Sequence, residues 1–370
     1  MVSRICSFAG SRAHHKRCSH ADIFPFSPRR TCFVCGCCTR ACRLRRQIRA
    51  GCRCALAGCG DKSAPAAGAA AKAELTPVGI VQLVEHAALD ACTKGVVDAL
   101  AERGFKDGVN IKLDIQNAQG DQSNLHNIAN RFVSNKDKVI FAVATPAAQA
   151  VATVAKNTPI VATAITDFVA AKLVKSDEAP GGNVTGVSDL GPIEAQLDLL
   201  LKFIPNAKVV GTIYNSSEIN SAYQVEIFKQ AAAKRGVEVL EATVSNVNDI
   251  QQAVASISSK VAGLWLPTDN VLASAIPALV KVTNPVKLPV VAGERGMTEA
   301  GCLGSISVDY YEIGRMTGQM GADILEGKKK PAEMPVQHVA TGTPVFNVKA
   351  AEAIGVTIPE ELKKGAVLFQ

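Results

Sequence analysis

Ten polar residues stand just beyond short apolar runs, and their side chains are of the kinds that bind small charged molecules. Glu85 and His86 follow the run Val78 to Val84, Thr145 follows Val139 to Val143, and Thr166 and Asp167 follow Pro159 to Ile165. In a second series Asn215 and Ser217 follow Lys208 to Tyr214, Asp269 and Asn270 follow Val261 to Pro267, and Glu294 follows Pro289 to Gly293. The carboxylates and amides offer acceptors to a cation. Thr145 offers the opposite chemistry. It reads as a helix N-cap followed by Pro146 at the first helical position, and a strand feeding such a turn aims free backbone N–H groups, Ala147 among the turn's residues, at a carboxylate or phosphate. The plain structural roles are a solvated loop acid for Glu85, a helix start for His86 and a cap for Asp167.

The elements that must position these residues alternate. Runs rich in β-branched residues and uncharged over four to eight positions read as strands covered on both faces. Stretches with apolar residues at helical spacing lie between them: Ala87 to Arg103, Gln122 to Val133 and the Ala-rich run to Ala155, then Pro192 to Phe203, Ala222 to Arg235, Val247 to Ser256, Val271 to Val282 and Ile313 to Leu325. Strands at Asn110 to Gln116, Gly181 to Asp189, Val237 to Ala242 and Ser305 to Asp309 complete the series. Met334 to Ala340 and Thr343 to Val348 read as the last strands, and Ala350 to Ile354 and Pro359 to Lys364 as short terminal helices. Strand–helix alternation implies parallel pairing, right-handed crossovers and helices on both sheet faces. Ligands of such sheets bind beyond the carboxyl ends of the strands, where the ten residues gather. The fold class expected is therefore α/β.

Charge and cysteine totals mislead. The formal charge is +7, yet residues 1–58 hold twelve of the forty Lys and Arg against the single acid Asp22, and the remainder carries 28 basic against 32 acidic residues. Ten of the twelve cysteines lie at or before Cys59. The chain beyond Cys59 is mildly acidic, cysteine-poor and roughly 310 residues long, too long for one ordinary core, so two lobes are expected. Cys92 and Cys302 are left to pair or to stay buried.

No run of 18 apolar residues occurs, which excludes a spanning helix. Leu56-Ala-Gly-Cys59, followed by an Ala/Gly-rich tract to Ala73, resembles the lipobox of bacterial lipoproteins, with Cys59 as the lipidated residue and 59–74 as a flexible tether. Upstream, an apolar signal core is expected, and Arg and Cys stand there instead. Zinc binding by Cys32, Cys35, Cys38, Cys42, Cys52 and Cys54 is disfavoured by irregular spacing, and a nucleic-acid arm by the lack of a recognition-helix pattern. The favoured reading is a leader out of frame: G+C-rich Leu and Ala codons read one base out of phase yield Cys, Arg and Gly.

The alternation and its turns together resemble a known family. The segments are Gln82-Leu-Val-Glu-His86, Asn117-Ala-Gln-Gly-Asp121, Ala144-Thr-Pro-Ala-Ala-Gln149, Gly182-Asn-Val-Thr-Gly186, Tyr214-Asn-Ser-Ser-Glu218, Pro267-Thr-Asp-Asn270 and Asp309-Tyr-Tyr-Glu-Ile-Gly314. They resemble the substrate-binding components of ABC importers, in particular the tryptophan/tyrosine-binding lipoprotein group. The resemblance implies two Rossmann-like lobes with parallel sheets, joined by three crossovers, as in type I periplasmic binding proteins. Lobe 1 is expected at 75–190 plus about 309–336, and lobe 2 at 191–308 plus about 337–370. It implies an extracytoplasmic protein anchored through Cys59, monomeric, without cofactor, metal or nucleic acid, that passes an aromatic amino acid to a permease and its ATPase. On this reading the Thr145 turn takes the ligand carboxylate, and Glu85, Asp167, Asp269 or Glu294 faces the ammonium. Phe168, Trp265 and Tyr310 are candidates for the side-chain slot, and His86, Thr166, Asn215, Ser217, Asn270 and Asp309 complete the binding set. Three rivals remain: an enzyme, for which no Ser/His/Asp order, phosphate loop or metal spacing is found; a two-lobed transcription regulator; and a lipoprotein presenting its ligand to a sensor.

Overall fold

The computed structural model describes residues 74–339 and 341–370. The leader, the tether, the Cys59 anchor and the zinc alternative all lie outside those residues. The first lobe opens with β1 (Thr76–Gln82), α1 (Ala87–Glu102), β2 (Ile111–Asn117), α2 (Gln122–Ser134), β3 (Ile140–Val143), α3 (Thr145–Val154), β4 (Ile160–Ile165) and β5 (Val184–Ser188). The chain then crosses and builds α4 (Ile193–Phe203), β6 (Val209–Asn215), α5 (Ile219–Lys234), β7 (Glu238–Val244), α6 (Ile250–Ile257), β8 (Leu264–Leu266), α7 (Asn270–Ala273), α8 (Ile276–Thr283), β9 (Val290–Ala292), α9 (Arg295–Glu299) and β10 (Gly304–Ser307). It returns through α10 (Tyr310–Leu325) and β11 (Gln337–His338), then crosses again into β12 (Thr343–Asn347), α11 (Val348–Ile354), α12 (Glu360–Lys363) and β13 (Val367–Phe369).

The sheet orders are β11-β5-β4-β3-β1-β2 and β13-β12-β10-β9-β8-β6-β7. All pairings are parallel except β10 with β12, which run antiparallel because the chain enters β12 from the other lobe. β11 pairs with β5, so the first lobe reaches His338, two residues beyond the boundary expected at about 336. The run expected as a strand from Met334 to Ala340 supplies only those two residues. Sequence order reverses between β1 and β3 in one sheet and between β6 and β8 in the other. At such a reversal the neighbouring crossovers leave in opposite directions and open a crevice.

β3 and β4 are buried at every position, as strands covered on both faces must be. In β8, Leu264 and Leu266 enter one apolar layer and Trp265 the other, following the two-residue period of a strand. Trp265 stacks on Phe228 with ring centroids 4.2 Å apart and donates through Nε1 to Gln196 Oε1 at 2.9 Å. Trp265 is therefore core, and Phe168, fully buried in the other lobe, is core too. The helix expected from Val271 to Val282 is two helices, α7 and α8, broken at Ala275 before Pro277 restarts the turn. Cys92 and Cys302 are both free and buried.

α10 is the element that ties the crossings to the first lobe. A Cβ on Gly314 would lie 2.1 Å from the Cys92 carbonyl oxygen, and one on Gly95 would lie 2.3 Å from that of Tyr311. Backbone-to-backbone approach of α1 and α10 thus requires glycine on both. Arg103 extends the contact by pairing with Asp323 and Glu326, and Arg315 by gripping Glu102 with its two terminal guanidinium nitrogens. The packing seats Tyr310, the first residue of α10, between the lobes.

Candidate functional site

The carboxyl edges of the two sheets face each other. A pocket between them is lined by His86, Leu89, Ala164, Thr166 and Asp189 on one side and by Asn220, Thr268, Asp269, Asn270, Ala273, Glu294 and Met297 on the other, with Tyr310 at the hinge. Five of the expected residues meet here: His86, Thr166, Asp269, Asn270 and Glu294. Backbone irregularity shapes the edge of the first lobe. Ala164 has φ +54° where the β4–β5 register slips between Thr163 and Ile165, and Ala144, just after β3, has φ +86°. Alanine in this region costs about 1–3 kcal/mol per residue, and such strain collects at functional edges.

Asp269 spans the crevice of the second sheet. Its carboxylate accepts from the Asn215 backbone N–H at 2.7 Å, from Ser221 Oγ at 2.7 Å and from the Leu272 N–H at 3.0 Å. Those bonds consume it, so the role expected for it, facing a ligand cation, is taken by its own lobe. Glu218 beside it accepts from Asn270 Nδ2 at 2.6 Å, Asn220 Nδ2 at 3.0 Å and the Asn270 N–H at 3.2 Å. Burial pushes the pKa of both acids up, and the charge of Asp269 adds to the rise at Glu218.

Glu294 caps α9, accepting from the N–H of Gly296 and from that of Met297 at 2.7 Å. Burial nevertheless lifts it to about 7. Asp189 is the least satisfied carboxylate of the pocket: Oδ2 accepts from the Tyr310 hydroxyl at 2.7 Å, while Oδ1, on a side chain 4% exposed, has no partner. Burial raises its pKa to about 6 against the opposing bonds from Tyr310, from its own backbone N–H and from the Thr166 hydroxyl.

Gln224 and His86 each bridge the lobes. Gln224 Nε2 donates to Thr166 Oγ1 at 3.0 Å and to Thr268 Oγ1 at 2.7 Å, so each hydroxyl keeps its own proton for another acceptor. His86 Nε2 lies 3.3 Å from Asn270 Oδ1. Because Asn270 Nδ2 is committed to Glu218, Oδ1 is the acceptor and His86 the donor, which leaves Nδ1 as a lone-pair acceptor in the neutral ring. Burial lowers the His86 pKa and keeps the ring neutral. Nδ1 has no partner either, and neither does Asn220 Oδ1.

The other expected residues lie elsewhere. Thr145 is the first residue of α3 and Ala144 its cap; Thr145 is buried, its hydroxyl has no partner, and neither it nor Ala147 lines the pocket. The positive φ of Ala144 turns the chain one residue earlier than a threonine cap would. Glu85 is exposed, as its loop position allows. Asp167 accepts from the Ala170 N–H at 2.7 Å and caps the turn after β4. Asp309 is exposed and caps α10, accepting from the N–H groups of Tyr311 and Glu312. Asn215 and Ser217 line an outer groove with Glu218, Asn270 and Val271 at the mouth of the cleft. Of the three slot candidates, Tyr310 alone reaches the pocket, beside Leu89 and Met297.

Sequence reasoning did not place Asp189, Asn220 or Gln224 in the site. Asp189 stands directly after β5, at the same edge as the residues that were chosen. Asn220 and Gln224 lie one turn apart on α5, a helix that begins three residues before the expected Ala222.

A profile of the ABC transporter substrate-binding protein family matches residues 77–368. The chain is 42% identical over 277 residues to a tyrosine-binding protein of Clostridioides difficile, covering 75% of this chain and 80% of that one. An ABC domain from Streptococcus pneumoniae solved in complex with L-tryptophan is 40% identical, with a TM-score of 0.77 over 80% of this chain and all of that one. The ligand-free, open structure of a substrate-binding protein with adhesive properties from Clostridium difficile is also 40% identical, with a TM-score of 0.63 over 80% of this chain and 99% of that one.

Proposed function

The chain belongs to the ABC transporter substrate-binding protein family, and we propose that it binds an aromatic amino acid between its two lobes and delivers it to a membrane permease and its ATPase. One observation carries the ligand reading. Three residues lining a single pocket each hold a buried acceptor without a partner, Asp189 Oδ1, His86 Nδ1 and Asn220 Oδ1, and no Lys or Arg lines that pocket. Buried polar atoms are almost always paired, so three unpaired acceptors in one place call for a ligand rich in donors. An ammonium supplies three.

Asp189 receives the ammonium, with Glu294 adding negative charge beside it. The Thr268 hydroxyl proton, oriented by Gln224, donates to the ligand carboxylate, which replaces the Thr145 turn in that role. Leu89, Ala273, Met297 and the Tyr310 ring supply the apolar slot. Since both lobes contribute, ligand and closed form stabilise each other, and a permease can read closure as occupancy. The greater likeness to the L-tryptophan complex than to the ligand-free open structure, at equal identity, supports a closed arrangement. The tyrosine-binding relative supports the aromatic class. Attachment to the outer face of the membrane through Cys59 is part of the same proposal.

Calorimetry with L-tryptophan and L-tyrosine tests it. At least one is expected to bind, and Asp189→Asn is expected to weaken that binding about 10- to 100-fold by removing a charge-assisted bond. Absence of binding by both, or wild-type affinity in Asp189→Asn, contradicts the proposal.

A further inference from the structure

Gln224 and Asn270, both of the second lobe, each reach across the cleft to a side chain of the first, Gln224 to Thr166 and Asn270 to His86. Protein alone makes these bonds. Each is aimed by a residue that does not line the pocket, Gln224 itself in one case and Glu218 in the other.

The Gln224 side chain is 2% exposed, and its orientation is imposed. Oε1 accepts from the Thr268 N–H at 3.2 Å, a group that can only donate, so Nε2 faces the acceptors. It has two protons for three of them: Thr268 Oγ1 at 2.7 Å, Thr166 Oγ1 at 3.0 Å and the Asn220 carbonyl at 3.2 Å. Of these, Thr166 alone belongs to the other lobe. When the lobes part, both protons keep acceptors within the second lobe, and opening strands no buried donor on Gln224.

The Asn270 bridge is built alike. Glu218 accepts from Asn270 Nδ2 at 2.6 Å and from the Asn270 N–H at 3.2 Å, which turns Oδ1 toward His86 Nε2, 3.3 Å away. Parting the lobes leaves the Glu218 bonds whole and frees Oδ1 and the imidazole to bond water. Each bridge thus adds a bond on closing and orphans no group on opening, which biases the cleft without locking it. A neutral bond of this kind shifts a closing equilibrium about 3- to 10-fold, and the pair about 10- to 100-fold.

We infer that the Gln224–Thr166 and Asn270–His86 bridges form a latch that closes the cleft without ligand. The latch sets the closed fraction of the free protein, and the apparent affinity for any ligand held by both lobes scales with that fraction. This balance belongs to the protein itself and does not depend on which ligand it takes.

Single-molecule energy transfer on the ligand-free full chain tests the latch, with p-acetylphenylalanine carrying the dyes in place of Ser123 and Gln252, exposed residues of the first and second lobes that do not line the pocket. The wild type is expected to show a closed and an open population. Thr166→Val and His86→Leu are each expected to lower the closed-to-open ratio about 3- to 10-fold, and the two together about 10- to 100-fold, with folding checked by thermal melting. Thr166→Ser, which keeps the hydroxyl, is expected to hold the wild-type ratio. A wild type that never closes without ligand overturns the inference, as does an unchanged ratio in the double variant or a Thr166→Ser protein as open as Thr166→Val. None of these results touches the amino-acid reading, because no ligand enters the measurement.

Discussion

Tyr310 donates its phenolic hydrogen to Asp189 across 2.7 Å, between two residues 121 positions apart and both buried. Asp189 stands at the first crossing between the lobes and Tyr310 just after the second, so the bond clasps two of the three connections. It holds one carboxylate oxygen and leaves the other without a partner.

Binding is expected to depend on pH through this pair. A ligand ammonium is favoured by ionised Asp189 and Glu294, whose pKa values burial has raised to about 6 and about 7, so affinity falls as pH drops through 7 and then 6. Tyr310→Phe removes the bond that favours the ionised form of Asp189. The pKa then rises further, and the pH at which affinity falls moves up by about one unit, with binding at pH 6 about tenfold weaker than in the wild type. Affinities measured from pH 5 to 8 check this; an unmoved midpoint counts against tuning by Tyr310.

Asp137 offers a stability test far from the cleft. It is 5% exposed, neither of its oxygens has a partner, and burial lifts its pKa to about 7, with Asp114 adding to the rise and Arg131 and Lys112 opposing it. The folded pKa lies above the unfolded value near 3.8, so between those limits the native state binds more protons than the unfolded state. Stability from this group is fully present below about 4, is lost as pH rises to 7, and is constant beyond. Asp137→Asn is therefore expected to raise stability by on the order of 1–3 kcal/mol at pH 8 and to change little at pH 4. Urea denaturation at the two pH values decides; an equal effect at both removes the charge from the explanation.

Thr145→Val tests the position that sequence reasoning favoured most. The hydroxyl is buried without a partner, and valine has the same shape. Stability is expected to be unchanged or higher by up to about 1 kcal/mol, with aromatic amino-acid affinity within about twofold of the wild type. A large loss of affinity would return the ligand carboxylate to the α3 turn.

The lobes and their polar edges are legible in the chain because strand burial, helical period and turn chemistry act over a few residues. The runs around Val139 and Pro159 became β3 and β4, and residues after β1, β8 and β9 line the pocket. Asp309 shows where that reasoning stops. Its sequence context, an acid two residues before a helical Tyr311, fits a cap as well as a ligand contact, and it is a cap. Trp265 likewise had the composition of a slot residue and the neighbours of a core one.

The sequence by itself determined two α/β lobes and the edge along which polar side chains collect. It could not rank those side chains, because an acid's availability to a ligand depends on lone pairs that distant residues take or leave. Asn215 and Ser221 close around Asp269 from about fifty positions away, and Asn270 meets both Glu218 and, 184 positions away, His86. Only the tertiary structure brings those donors together, saturating Asp269 while leaving Asp189, His86 and Asn220 each with one acceptor unpaired.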